Sequence, residues 1–544
     1  MAMFLLLLVL AVLSSTCGMK SGEYVSVVVS SKDQSLDIVP GKVFPNVAWA
    51  RFSNEIDKSG WSYLEVHSNG SYPNDKQARA AGMAEGYITS ELIHLSWLNQ
   101  YASYCENETQ FCEKLEKFIQ ENEKWMIQEI ASDLDEYWHQ VQLIFIQLDG
   151  LRDGYRHNKT LPDIPELGFL AFQGAEDFAD LEMVLKKKNP RRTKGSGSCS
   201  ALIKLLPENK ELFISHVTWT TYIDLLRIFK LYDFPFQYAS GKNQIPGYRQ
   251  SFSSSPGNLL SGDDFYLLSS GMVSQETTIG NSNADLWKYV TPEGIVFEWI
   301  RTMVANRLAK TSGEWTYMFS KFNSGTYNNQ WMVLDYKLFV PGQPIKPGTL
   351  SILEQIPGMT ESADMSIHLD QRRYWASYNI PYFPSIYNTS GFEDIRQKYG
   401  AFFDYNLSPR AQIFRRDQHK VVDIDSMMKL MRYNDFKNDP LSKCKCTPPY
   451  SAENGISARC DLNPADGKYP IPALGHRMHG GTDCKVHQIT SSELFKKFQC
   501  HAVSGPTHDQ QPVFQWSKTE WKRPLGHPDK FDFSPVVVSW DSEN

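Results

Sequence analysis

After its first residues the chain has no long apolar run. Nothing beyond position 13 approaches the roughly 20 charge-free residues that a membrane helix needs, so the mature chain is expected to be soluble, with no transmembrane segment. It also lacks a long basic block: 55 Lys and Arg stand against 62 Asp and Glu, a formal net charge of −7. Phosphate recognition needs a concentrated Lys/Arg footprint, which excludes nucleic acid as a partner. There is no G-x-S-x-G nucleophile elbow, no H-E-x-x-H zinc helix and no internal repeat. The rest is globular in character, with 14 Trp, 26 Tyr and 30 Phe. So many aromatics argue for extensive packing and against disorder.

The one apolar run is N-terminal. Phe4 to Leu13 is followed by Ser14-Ser15-Thr16-Cys17-Gly18. It is too short to span a bilayer and reads as a signal-peptide core with a cut near Cys17, although no Lys or Arg precedes it. Residues 1–17 are therefore assigned to a leader and the chain to the secretory pathway. In that compartment the sequons at Asn69, Asn107, Asn158, Asn388 and Asn406 become glycan sites.

Nine cysteines are present, and Cys17 leaves with the leader. The other eight are expected to pair in an oxidising compartment. Cys105 and Cys112 bracket a short polar loop and read as a local disulfide. Cys444, Cys446, Cys460, Cys484 and Cys500 crowd the C-terminal fifth, an odd number whose pairing stays open. Cys199 stands apart. Cys484-x-x-His487 with Cys500-His501 fits no standard zinc spacing, and no metal or other cofactor is assigned.

Helical periodicity covers Gln77–Ser96 and Phe111–Leu148. Leu181–Arg192 ends in a basic polar run, and Gly195-Ser196-Gly197-Ser198 follows as an exposed, mobile loop. Then the pattern changes to strands: Ser200–Leu206, a turn at Pro207–Lys210, and Leu212–Trp219. A turn centred between Glu208 and Asn209 sets Cys199 opposite Thr218, with His216 to Thr221 beside it. Further strands are expected at Asp264–Leu268, Trp331–Phe339, Leu350–Gln355 and Pro535–Trp540. His479-Gly480-Gly481 is similar to a lipase oxyanion loop but, without the elbow, reads as a turn. The class is α+β.

Cys199 begins a strand directly after a flexible loop and a small residue. If its thiol attacked the Ser198 carbonyl, hydrolysis of the thioester would free Cys199 as a new N-terminus. The new α-amine, of ordinary pKa near 7.7, would serve as general base to the thiol beside it. The competing reading is a small cysteine buried at a strand start.

Six ordered blocks weigh on that choice. Gly197-Ser198-Cys199-Ser200-Ala201-Leu202-Ile203-Lys204 resembles the cleavage junction of the phospholipase B-like (laminin-ancestor-like) family. So do Asn323 to Gln330, Glu354-Gln355-Ile356-Pro357, Tyr374 to Asn379, Pro409 to Arg416 and Met431-Arg432-Tyr433-Asn434, in the family's order. Trp287-Lys288-Tyr289-Val290 and Leu462-Asn463-Pro464-Ala465 resemble its lysosomal-type branch. The resemblance implies an N-terminal nucleophile hydrolase with a four-layer αββα core. Residues 18–198 would form a mostly helical fragment and 199–544 a second one carrying nucleophile and sheets. The two would stay associated as one composite domain. Cys199 would be the nucleophile, Asn379 the oxyanion donor and Arg410 the clamp on carbonyl oxygens or the amine. His216, Trp219 and, less uniformly in the family, Thr221 would line the pocket. The implied activity is lipid degradation, the hydrolysis of phospholipid acyl esters in the lysosome lumen or after secretion. An amidase on N-acyl lipids or small peptides, and a non-enzymatic lipid- or protein-binding glycoprotein, remain alternatives. Oligomeric state is open.

Overall fold

The computed structural model describes residues 22–132, 135–191, 193, 195–489 and 492–543. The expected leader, with Phe4–Leu13 and Cys17, lies outside the described residues. Four strands come first: β1 (Glu23–Val29), β2 (Leu36–Pro40), β3 (Ala48–Glu55) and β4 (Trp61–Ser68). The helices α1 (Asn74–Ile88), α2 (Ser90–Gln100), α3 (Thr109–Ser132), α4 (Glu136–His157) and α5 (Ala175–Val184) follow. The segment before Cys199 is mainly helical by residue count, and it also contributes four strands, an element type its periodicity does not announce.

After it come β5 (Cys199–Leu205), β6 (Leu212–Thr221), β7 (Arg227–Asp233), β8 (Arg249–Ser254), β9 (Phe265–Leu268) and β10 (Met272–Thr278). Helix α6 (Glu298–Leu308) and the strands β11 (Asn329–Asp335), β12 (Leu350–Ile356), β13 (Met359–Asp364) and β14 (Tyr374–Ser377) succeed them. The C-terminal part adds α7 (Pro409–Asp417), α8 (Ile424–Met431), β15 (His479–Gly481), β16 (Asp483–Gln488), β17 (His501–Ser504) and β18 (Val536–Val537).

The strands form two large sheets. The eleven-stranded one runs β13-β12-β11-β10-β9-β8-β7-β4-β3-β1-β2. It is antiparallel except at β4–β7, where Trp61–His67 pair with Arg227–Asp233 in parallel across the long helical excursion. The seven-stranded sheet runs β14-β5-β6-β16-β17-β18, with β15 also on β6.

Alternation of side chains across each strand separates three apolar cores. Ala201, Ile203 and Leu205 of β5 meet Phe229, Leu231, Met332 and Leu334 between the sheets. Leu202 of β5 and Phe213 and Val217 of β6 turn the other way, onto Ile413 and Phe414 of α7 and Met427 and Met431 of α8. The far face of the large sheet, with Val66, Ile228 and Phe252, packs on α1, α4 and α6 through Ala81, Ala84, Leu148 and Val304. The chain is a mixed α+β protein with helices on the outer faces of both sheets.

Helices α1 and α4 approach unusually closely because glycines recur at four-residue spacing on both. A Cβ on Gly82 would come 2.0 Å from the Gln147 carbonyl oxygen, and one on Gly86 2.1 Å from that of Leu151. On α4, Gly150 and Gly154 leave the same room for the backbone of Arg79 and Met83.

Candidate active site

The site is set by the β5–β6 hairpin. Cys199 opens β5 and pairs with Thr218, the register that the turn position predicts. One residue upstream, the Ser198 carbonyl accepts the Trp219 backbone N–H at 2.6 Å. Cys199 shares the face of Ala201 and Ile203, toward the large sheet, and only 4% of it is exposed.

Three segments far away in sequence converge on this point. Arg410, near the N-terminus of α7, donates from Nη1 to the Cys199 carbonyl (2.6 Å) and from Nη2 to Asn379 Oδ1 (2.7 Å). Its guanidinium lies over the Trp219 ring, 4.3 Å from the centroid, and burial pulls it down to about 10. Asn379 has φ = 67°, a left-handed conformation that Asn tolerates better than most side chains. Its Oδ1 also accepts the Ser198 N–H (3.2 Å), while its Nδ2 donates to the Thr278 carbonyl (2.6 Å). The Asn379 amide therefore presents its oxygen, not its NH₂, to the Ser198–Cys199 junction.

The third segment was not readable from the sequence. Glu453 accepts the Gly197 N–H at 2.9 Å, and its other oxygen takes Arg477 (2.9 Å) and the Cys460 thiol (2.7 Å). Arg477 also donates to Ser196 Oγ at 3.0 Å. His479-Gly480-Gly481 is not a turn. It is the edge strand β15, paired with Trp219–Thr221, because the extended end of β6 leaves its backbone groups open there. The Gly/Ser loop is correspondingly not an exposed one: Gly197 is buried and Gly195, Ser196 and Ser198 are half-buried. Its small residues let the backbone enter the site rather than float above it.

Below the thiol lies a buried charge network. Lys485 donates to Thr218 Oγ1 (2.7 Å) and Asp483 (2.8 Å), and Arg227 pairs with Asp483 (3.1 Å) and Asp263. Burial would raise the Asp483 carboxyl, but Lys485 and Arg227 outweigh it and hold it low. Burial pushes the Cys199 thiol well up, and the Glu276 carboxylate adds to this. His216 contacts the Glu276 carbonyl through Nε2 (2.9 Å), and burial followed by Lys485 keeps it neutral.

A cavity of about 840 Å³ opens on this arrangement. Ser198, Cys199, Trp219, Thr221, Asn379 and Arg410 line it, and so do Glu453, Arg477 and His479. His216, expected on its wall, is instead fully buried between β6 and β10, because its position in β6 faces the other sheet.

Among the described residues two clusters have ligand atoms within 4.8 Å of one another, Cys199–His216–Glu276 and Glu453–Cys460–His479. In the second, the Arg477 guanidinium already fills the space against Glu453 and Cys460. Cys484 and Cys500 sit in different cores on opposite faces of the small sheet, so the zinc set weighed from the sequence does not converge.

Cys105–Cys112 and Cys444–Cys446 form disulfides. Cys199 is a buried free thiol, as a nucleophile requires; the expectation of general pairing is corrected at Cys460, Cys484 and Cys500, which are buried free thiols as well. Of the sequons, Asn107, Asn388 and Asn406 are exposed and Asn69 and Asn158 half-buried. Among the described residues no helix is long and apolar enough to cross a membrane.

The profile of the phospholipase B family ("Phospholipase B") matches residues 48–538, and the chain belongs to that family. Its relatives include proteins named "Putative phospholipase B-like 2". That of Rattus norvegicus is 51% identical over 510 residues, covering 91% of this chain and 86% of that protein. That of Homo sapiens is 49% identical over 531 residues (95% and 90%), and that of Caenorhabditis elegans 42% over 528 (95% and 89%). The family name supports a hydrolase.

Proposed function

We propose that the chain is a self-processing hydrolase of acyl bonds whose nucleophile is Cys199, freed as an N-terminus by cleavage after Ser198. The observation that carries this reading is the geometry of that one peptide. Its carbonyl oxygen takes the Trp219 N–H, its N–H partner on Ser198 is held by Asn379, and the next carbonyl is clamped by Arg410. A donor already on the carbonyl that must become an oxyanion is what attack requires. In the first step the Cys199 Sγ–carbon bond forms and the carbon–nitrogen bond to Cys199 breaks, the thiol proton passing to the departing amine. In the second, water adds to the thioester, the sulfur–carbon bond breaks, Ser198 leaves as a carboxyl and the thiol regains a proton.

The order of cores supports the four-layer αββα arrangement of N-terminal nucleophile hydrolases. The parallel β4–β7 pairing, which spans the proposed cut, supports two fragments that stay associated. The leader expected at residues 1–17, the sequons and the resemblance to the family's lysosomal-type branch support a glycosylated protein of the lysosome lumen, also secreted. The relatives' names bring the phospholipid acyl ester as first substrate class. An amide is the second reading, favoured because the bond already seated beside Cys199 is itself an amide.

N-terminal sequencing of the processed protein should find Cys199 first, and Cys199→Ala should stay uncut. Fatty-acid release from phospholipid and release of amine from an amide panel, run on both forms, then report the activity. An uncut wild type in the lysosome, or equal activity in Cys199→Ala, would sink the reading.

A further inference from the structure

The residues preceding Cys199 record what the acyl side of the site is built to hold. The thioester of self-processing, Ser198 carbonyl on Cys199 sulfur, is the same kind of species as the acyl-enzyme of turnover. Groups that seat Gly197 and Ser198 therefore outline the acyl subsite. Resting on the Cys199 reading above, we infer that the processed site selects a peptidyl acyl group over a plain fatty acyl chain. Such a group carries an N–H on each of its first two units and no branch on the second.

Two buried acceptors carry the inference. Asn379 Oδ1 takes the Ser198 N–H at 3.2 Å and Glu453 Oε1 takes the Gly197 N–H at 2.9 Å. Both are aimed from behind: Arg410 holds Asn379 Oδ1 (2.7 Å), and Arg477 and the Cys460 thiol hold the other oxygen of Glu453 (2.9 and 2.7 Å). Glu453 is 2% exposed and Asn379 9%, so water replaces a missing donor poorly. A fatty acyl chain would set methylenes against both oxygens, leaving buried acceptors unpaired.

Shape adds a second selection. A Cβ at Gly197 would meet Trp219 Cζ3 at 2.8 Å, Arg410 Nη2 at 2.9 Å and Asn379 Oδ1 at 3.0 Å. These three are locked together by the Arg410 stack on Trp219 and its bond to Asn379, so the wall yields little. Ser198, by contrast, is half-buried and lines the cavity, where a side chain has room. Beyond Gly197, Arg477 offers a donor to whatever polar group follows, as it does now to Ser196 Oγ.

The test uses the processed full-length protein and p-nitroanilides that share one leaving group. The probes are N-acetylglycylserine, the analogue with an ester oxygen in place of the glycine N–H, N-acetylalanylserine, and an unbranched fatty acyl chain of equal length. We expect the glycylserine probe to lead in kcat/KM, with about a ten- to hundredfold loss for each N–H removed and a similar loss for the added methyl. Glu453→Leu should erase the gap between the first two probes while sparing the response to the methyl. If that variant fails to fold, the probe series on wild type still decides. Equal or faster Cys199-dependent hydrolysis of the fatty acyl probe overturns the inference and leaves the nucleophile standing. No hydrolysis of any probe by protein whose N-terminal Cys199 alkylates normally also overturns it. Hydrolysis that persists in Cys199→Ala instead defeats the nucleophile itself.

Discussion

At the scale of single residues, the proposed chemistry turns on how a cut after Ser198 would change the Cys199 environment. In the intact chain the thiol is buried beside the Glu276 carboxylate, and both raise its pKa well above the ordinary value. A thiol held in that state is a poor nucleophile toward added reagents. Cutting after Ser198 places an ammonium on the same residue, which favours the thiolate. Alkylation of Cys199 should therefore be slow in the uncut chain from pH 5 to 8 and become fast, even near pH 5, in the processed one. Equal rates in the two forms would make Cys199 a spectator. Gly197 is the second decisive residue, since any side chain there strikes Trp219, Arg410 and Asn379. Gly197→Ala should fold, because the clash is confined to one cavity wall, but cut at least tenfold more slowly by band intensity over time. Asn379→Ala removes the acceptor for the Ser198 N–H and the Thr278 contact together. Leaving a buried hydrogen-bonding group unpaired costs about 1–3 kcal/mol, so the cut should slow about ten- to hundredfold, and a variant that melts and cuts normally would remove Asn379 from the mechanism.

At the scale of elements, the hairpin and the glycine-lined helix pair do different work. The β5–β6 register was legible because a short turn, Pro207–Asn209, fixes which residues face each other, and Cys199 opposite Thr218 follows from counting. Helix positions were legible but not their breaks. Gln77–Ser96 is two helices divided at Thr89, and Phe111–Leu148 falls on both α3 and α4, the second capped by the Asp135 side chain at the Trp138 N–H. Pro535–Trp540 is strand only at Val536–Val537. Glu453 and Arg477 were not legible at all. Glu453 sits on a single 3₁₀ turn, Ala452–Asn454, and Arg477 on a loop, neither with a periodicity to read, and their partners at the junction lie more than 250 residues upstream. The glycines of α1 and α4 look like weak helix positions in the sequence, yet they are where two backbones touch. Gly86→Ala should lower stability by about 1–3 kcal/mol or more through overpacking, although alanine favours the helix itself. A melting temperature unchanged or raised would mean that the helices separate freely.

At the scale of the whole molecule, the buried titratable groups set a preferred pH. Burial raises the carboxyls of Asp224 to about 6 and Glu354 to about 7, and holds those of Asp177 and Glu298 up as well. A carboxyl whose folded pKa exceeds its unfolded value of about 4 contributes stability that is complete below that unfolded value. The contribution disappears as pH rises through the folded value. From pH 8 down to about 6 the fold should therefore gain stability as these groups take up protons. Histidines act in the opposite sense. Burial lowers His487 and His527 to about 3 and keeps His216 and His479 neutral too. Their contribution is present above the unfolded value of about 6.5 and is lost progressively as pH falls toward 3. The two sets cross in the mildly acid range, which suits the lysosomal location proposed above. Thermal melts of the intact chain at fixed ionic strength should show the melting temperature climbing between pH 8 and 6 and falling again below about 4. A curve that is flat or descending from pH 8 to 6 would mean that the buried carboxyls are ionised in the folded protein.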